Sequence, residues 1–81
     1  MVGYLITFRS VTPAQRGENL LRRHGMDCTL RRTPRWMEEQ GCGYSLFVKD
    51  GAGAAALLRR HQISFRKVYL QRKEKTEEVE V

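Results

Sequence analysis

Two side chains of this protein could act as nucleophilic thiolates, Cys28 and Cys42. Cys42 stands between Gly41 and Gly43, and glycine on both sides would allow another protein surface to approach the sulfur closely. Cys28 alternates with apolar neighbours, a pattern in which cysteine behaves as a small buried hydrophobe. Cys42 is therefore the candidate reactive thiol, and burial at the start of a strand is the alternative for it.

Polar groups near Cys42 in the sequence could stabilise its thiolate. Arg35 lies seven residues earlier and could return its guanidinium to the sulfur if the intervening segment folds back. A nearby cation lowers the pKa of a thiol, and Ser45 could add a hydroxyl hydrogen bond. A thiolate held in this way could attack a persulfide, keep its outer sulfur and present it to an acceptor.

Two predicted helices and four predicted strands must position these residues. The first helix is expected over 13–24, with Thr12 as its N-cap, Pro13 at its first position and Gly25 as its left-handed end. The second helix is expected after Asp50, as far as about residue 61. Residues that favour strands are concentrated in four runs, 2–8, 26–33, 44–49 and 63–70.

The resulting order, β-α-β-β-α-β, predicts an α+β fold of the ferredoxin-like kind. In that two-layer sandwich a four-stranded antiparallel sheet carries both helices on one face. Residues 1–70 would form this single domain, and the charged residues 71–81 would be a disordered tail. Because apolar residues occupy both faces of the strands, the open sheet face is expected to form a homodimer.

The chain is basic, with a formal net charge of +6, and a positive field attracts anionic partners. Arg31, Arg32 and Arg35 form a basic cluster with Trp36 next to the cysteine loop. One tryptophan lacks the aromatic pair typical of RNA-binding versions of this fold, so nucleic acid is not the expected partner. Solvated charge, or steering of anions toward Cys42, is the favoured interpretation of this cluster.

Several other classes of protein are not expected from the sequence. The spacing of His24, Cys28, Cys42 and His61 does not match paired zinc ligands, so neither a metal nor a cofactor is predicted. No run of about 20 apolar residues and no signal-peptide pattern occurs, which favours a cytoplasmic protein without membrane contact. In that reducing compartment the two cysteines are expected to be free thiols.

Three short motifs resemble those of the selenium/sulfur carrier-like family of small bacterial proteins. They are Tyr4-Leu5-Ile6-Thr7-Phe8, Thr33-Pro34-Arg35 and Cys42-Gly43-Tyr44-Ser45, and the resemblance extends over about residues 3–70. It implies a carrier rather than a stand-alone enzyme, with a cysteine desulfurase-like donor and a protein acceptor.

In the carrier hypothesis each site residue has an expected role. Cys42 would be the carrier thiol, Arg35 its electrostatic partner and Ser45 a hydrogen-bonding neighbour. The expected binding residues are Thr33, Pro34, Gly41, Gly43, Arg31, Arg32 and Trp36. The rival hypothesis is a non-catalytic, dimeric binding module that recognises nucleic acid or an anionic ligand through its arginines.

Overall fold

The computed structural model describes residues 2–33, 43–72 and 75–79, which form two helices and one antiparallel sheet. The sheet order is β2-β3-β1-β4-β5. The α+β class is confirmed, but the expected four-stranded layout is not matched, because a fifth strand extends the sheet. The elements are, in chain order, β1 (Gly3–Thr7), α1 (Val11–Arg23), β2 (Cys28–Arg32), β3 (Tyr44–Val48), α2 (Gly51–Arg60), β4 (Val68–Gln71) and β5 (Thr76–Val79).

One hydrophobic core joins both helices to the same face of the sheet. Alternate residues of each strand point into it, as the period of two in a strand requires. Its fully buried members include Ile6 from β1, Phe8 just after β1, Leu21 from α1 and Leu58 from α2. At Gly17 the helix surfaces approach so closely that a Cβ would lie 3.1 Å from Leu58 Cδ2. The prediction that both helices cover one face is therefore confirmed.

The start of α1 lies slightly earlier than predicted. Ser10, not Thr12, is the N-cap, and its backbone is extended, with φ −144°. Pro13 is accommodated within the first turn because the first four amide groups of a helix have no intrahelical acceptor. The predicted end is confirmed: Gly25 has φ 74°, and the Met26 amide donates to the Leu21 carbonyl over 2.9 Å.

The end of α2 explains why β4 is shorter than predicted. Asp50 is the N-cap, as expected, and its Oδ1 accepts a hydrogen bond of 3.0 Å from the Gly53 amide. After the helix, Gln62 turns the chain with φ 59°, and the Ile63 amide donates to the Leu58 carbonyl over 2.8 Å. Ile63 thus closes the helix instead of opening a strand, and β4 begins only at residue 68.

The predicted disorder of the whole tail is wrong for residues 76–79. These residues form β5, which pairs antiparallel with β4 and places Glu78 opposite Tyr69. Val79 packs against the main core, and Lys67 Nζ lies 3.5 Å from Glu78 Oε1. Charged side chains predict disorder by composition, but in this protein the segment gains order by covering the exposed edge of β4.

Among residues 2–33, 43–72 and 75–79, the sheet face opposite the helices carries little exposed apolar surface. Leu5 and Phe47 form a second small cluster there, and both are buried within the chain, with Tyr69 packed beside them. The expectation of a wet apolar face therefore does not hold at these positions. Homodimer formation stays a prediction, but burial of Leu5 and Phe47 cannot be its driving force.

Candidate functional site

The residues that flank the predicted cysteine loop lie side by side at one end of the sheet. β2 and β3 pair antiparallel, with Arg32 opposite Tyr44 as the last pair in the register. Beyond it the Thr33 amide donates to the Gly43 carbonyl over 2.8 Å. The chain therefore leaves β2 at Thr33 and re-enters β3 at Gly43 from one fixed point of the sheet.

Gly43 has a backbone role in this arrangement. Its φ is 82°, which lies in the left-handed region that costs a residue with a Cβ about 1–2 kcal/mol. The glycine that follows Cys42 in the sequence is thus required by the turn into β3. This backbone requirement is separate from the reason given in the sequence analysis, which was that a glycine beside Cys42 lets another protein approach the sulfur closely.

Ser45 is fully buried on the sheet face away from the helices. It lies between Thr7 of β1 and Arg31 of β2 in the strand register. Its Oγ has no hydrogen-bond partner among the residues that the structure describes. A buried hydroxyl without a partner costs about 1–3 kcal/mol, so this group calls for a specific explanation.

Arg31 and Arg32 place positive charge on both faces of the same strand end. The Arg31 guanidinium carbon lies 4.1 Å from the ring centroid of Phe47, on the face of Ser45. The Arg32 guanidinium carbon lies 5.9 Å from the ring centroid of Tyr44, on the helix face. Neither arginine forms a salt bridge within the described ranges. Their charges therefore remain available to an anion near the β2–β3 end.

Cys28 is buried, as the sequence predicted, and is unsuited to thiolate chemistry. Its Sγ donates to the Glu18 carbonyl over 3.6 Å and packs in the main core. Burial raises the pKa of the Cys28 thiol above its ordinary value, and the nearby Arg22 guanidinium only partly offsets that effect. Cys28 therefore stays protonated at neutral pH, and only about a tenth of its surface is exposed to a partner protein, since its exposed fraction is 9%.

The structure brings together half of the predicted site residues. Those at the common end of β2 and β3 are Thr33, Gly43, Ser45, Arg31 and Arg32. The others lie outside the described residues, and their roles stay predictions: Cys42, Arg35, Gly41, Pro34 and Trp36.

The structure also gathers a second set of cations, which the sequence analysis did not single out. Arg9, Arg59, Arg66 and Lys67 surround Phe65 beside the start of β4. Arg59, Arg66 and Lys67 are close in the sequence, but no motif could have found the set because Arg9 comes from the other end of the chain. The described part of the chain contains no group of three or more side chains that could hold a metal ion. None of its helices is long and apolar enough to cross a membrane.

The fold and the β2–β3 end define a small α+β protein in which Cys42 directly precedes Gly43, the residue that is hydrogen-bonded to Thr33 at the end of the sheet. The family model described as "Putative Se/S carrier protein-like" matches residues 3–70, and the chain belongs to that family. The resemblance stated from the three sequence motifs is thereby confirmed. No curated protein and no solved structure gives a significant match.

Proposed function

We propose that the protein carries sulfur or selenium between a donor and an acceptor protein, with Cys42 as the carrier thiol. The observation that carries this proposal is the burial of Cys28, whose pKa is raised and whose sulfur packs in the core. Of the two thiols in the chain, that leaves Cys42 for the chemistry. Membership of the carrier-like family supports the same class of function.

The exchange needs no external oxidant. The Cys42 thiolate attacks the outer sulfur of a persulfide on a cysteine desulfurase-like donor, forming a new sulfur–sulfur bond. The old sulfur–sulfur bond breaks, and the donor cysteine leaves as a thiolate that takes up the proton lost by Cys42. In the second half an acceptor nucleophile attacks the outer sulfur and restores the Cys42 thiolate. A selenium atom would follow the same two displacements.

The described end of β2 and β3 would support this exchange in two ways. Gly43 and Thr33 fix the point at which the thiol-bearing segment joins the sheet. Arg31 and Arg32 would attract an anionic persulfide or perselenide and favour the thiolate at Cys42. The direct electrostatic partner that we propose for Cys42 is Arg35.

The unpaired hydroxyl of Ser45 gives this site a further hydrogen-bonding group. It lies two residues beyond Gly43 and is buried without a partner among the described residues. We propose that it bonds to a group of the thiol-bearing segment. The remaining binding residues, Pro34, Gly41 and Trp36, would shape that segment, and the reducing cytoplasm would keep both thiols free.

Intact-mass spectrometry of the protein incubated with a cysteine desulfurase and cysteine tests the proposal. The wild type and Cys28→Ser should gain the mass of one sulfur atom, and the gain should disappear on reduction with dithiothreitol. Cys42→Ser should gain none. Because both variants replace one thiol with a hydroxyl, they form a matched pair. Loading that survives in Cys42→Ser, or a wild type that is never loaded, would contradict the carrier function.

A further inference from the structure

A shallow groove surrounds Phe65 at the start of β4. Three adjoining depressions of about 340, 380 and 430 Å³ each include Phe65 in their walls. None is an enclosed chamber, and together they form one continuous surface between the end of β1 and the chain that follows α2. We call this surface the Phe65 groove; its walls also include Arg9, Arg59, Arg66, Lys67 and Ser64.

The charge of the Phe65 groove is strongly positive. Four cationic side chains line it against a single carboxylate, Glu78. Glu78 is engaged with Lys67, since Lys67 Nζ lies 3.5 Å from its Oε1. Arg9, Arg59 and Arg66 have no carboxylate partner within residues 2–33, 43–72 and 75–79. The groove therefore offers three uncompensated guanidinium groups to an anion.

An aromatic ring and a flat cation lie together in the Phe65 groove. The Arg59 guanidinium carbon lies 5.2 Å from the ring centroid of Phe65, and the ring is itself partly buried against the core. A guanidinium held against a ring presents a planar surface on which a nucleic acid base can stack. The groove thus pairs phosphate-binding charge with a stacking platform.

Hydrogen bonds to Thr7 hold the backbone of two residues of the Phe65 groove, Arg66 and Lys67, in place. The Arg66 amide donates to the Thr7 carbonyl over 2.7 Å, and the Thr7 amide donates to the Lys67 carbonyl over 2.9 Å. The Lys67 amide also donates to Thr7 Oγ1 over 3.1 Å. The backbone that carries these two cations is therefore fixed, which lowers the entropy lost when a ligand orders their side chains.

One effect opposes anion binding in the Phe65 groove, because α2 ends nearby. The C-terminal end of a helix carries about −0.5 of an elementary charge. Its last carbonyls already accept hydrogen bonds from His61, Gln62 and Ile63. Three uncompensated guanidinium groups outweigh this partial charge, so the local field stays attractive to phosphate.

We propose that the Phe65 groove binds single-stranded nucleic acid. An extended strand fits a series of open depressions better than a small phosphate ester, which needs an enclosing pocket. Stacking on Arg59 and Phe65 requires unpaired bases, which a duplex does not offer. This surface is distinct from the Trp36 cluster, from which no nucleic acid partner was expected, and it places the arginines of the rival binding hypothesis around an aromatic ring.

The position of the Phe65 groove gives this binding a context. β1 and β3 pair antiparallel with Thr7 opposite Ser45, so Arg9 and Gly43 lie beyond the same end of the two strands. A bound strand would therefore lie at the sheet end to which Cys42 is joined. The proposal does not depend on carrier activity, since binding and sulfur loading are measured separately.

Fluorescence anisotropy with a labelled single-stranded RNA of about 12 nucleotides tests the groove. The groove variant is Arg9→Gln/Arg66→Gln, which should weaken RNA binding roughly tenfold. The slope of the logarithm of the binding constant against the logarithm of the salt concentration, called the salt slope, should fall in magnitude by about 1.4, because each of two lost phosphate contacts removes about 0.7. The matched control is Lys49→Gln/Arg72→Gln, which removes the same charge at the opposite end of the sheet, where both residues are exposed. Its affinity should change less than about threefold.

Two further measurements separate stacking from general attraction. Phe65→Leu keeps apolar bulk against the core but removes the aromatic ring, and circular dichroism of this variant checks its fold. The variant should bind RNA more weakly, while its salt slope stays unchanged because no charge is lost. Unlabelled duplex RNA and a mononucleotide serve as competitors, and each should compete poorly with the single strand. Equal losses in the two charge variants, preference for the duplex, equal competition by the mononucleotide, or no wild-type binding at low salt would overturn the proposal.

Discussion

The two helices end in the same kind of turn but with different residues in the left-handed position, which permits a reciprocal exchange. Gly25 follows α1 with φ 74°, and Gln62 follows α2 with φ 59°. In both turns the next amide returns to the helix, over 2.9 Å at Met26 and 2.8 Å at Ile63. We predict that Gln62→Gly stabilises the protein and that Gly25→Gln destabilises it.

The magnitude follows from the backbone. A residue with a Cβ pays about 1–2 kcal/mol in the left-handed region, whereas glycine loses about 0.5–1 kcal/mol more conformational entropy on folding. Gln62→Gly should therefore raise the free energy of unfolding by about 0.5–1 kcal/mol, and Gly25→Gln should lower it by a similar amount. A Cβ at Gly25 would meet no atom within 4 Å, so that loss contains no packing contribution.

Urea denaturation followed by circular dichroism measures both changes, with the slope in denaturant expected to stay constant. The melting temperature should shift by roughly 4–8 °C for each kcal/mol in a domain of this size. The double exchange should lie within about 0.5 kcal/mol of the wild type if the two backbone effects add. The rings of His24 and His61, beside the two turns, lie 5.8 Å apart, so a larger departure would measure coupling between the turns. A less stable Gln62→Gly, or a Gly25→Gln of unchanged stability, would refute the backbone argument.

Three further changes have expected outcomes. Asp50→Ala should lose about 1 kcal/mol in urea denaturation because the Gly53 amide loses its acceptor, whereas Asp50→Ser should keep most of that energy; equal losses would contradict the cap. Gly3→Ala should lose about 1–3 kcal/mol because its methyl group would overlap the Phe47 ring, and a Phe47→Leu background should reduce that loss; an unchanged loss there would argue against the overlap. Because the folded pKa of Cys28 is raised, its contribution to stability is complete below the ordinary thiol pKa of about 8.5 and is lost as pH rises through the folded value. The difference in unfolding free energy between the wild type and Cys28→Ala should decrease as the pH rises through this range. A difference that does not change with pH would contradict the raised pKa of Cys28.

Local signals predicted the parts of the fold that depend on neighbouring residues. Asp50 and Gly25 were recognised because a cap and a left-handed turn are properties of a few consecutive residues. The burial of Cys28 followed from alternation along one strand. Ile63 was misassigned because its role depends on a hydrogen bond back to Leu58, and a β-branched residue suits either environment.

Features that arise from the pairing of distant segments could not be predicted in this way. The Phe65 groove combines Arg9 with residues 50 or more positions later in the chain, so no sequence spacing indicates it. The burial of Ser45 depends on its place between Thr7 and Arg31 in the sheet. At the candidate site, the sequence motifs therefore selected the candidate residues, while the surroundings of those residues depend on strand register.

The charges on the two outer strands limit how copies of this chain could associate. β2 carries Arg31 and Arg32 along one edge of the sheet, and β5 is four residues long, with Glu77 and Glu78 along the other. Short strands and charged side chains at an edge oppose the addition of further strands from another molecule. Joining two β2 edges would bring four guanidinium groups together, and joining two β5 edges would bring four carboxylates together. Like charges therefore disfavour a symmetric dimer through either edge, whereas head-to-tail pairing of a β2 edge with a β5 edge would bring opposite charges together and is opposed only by the short length of the strands.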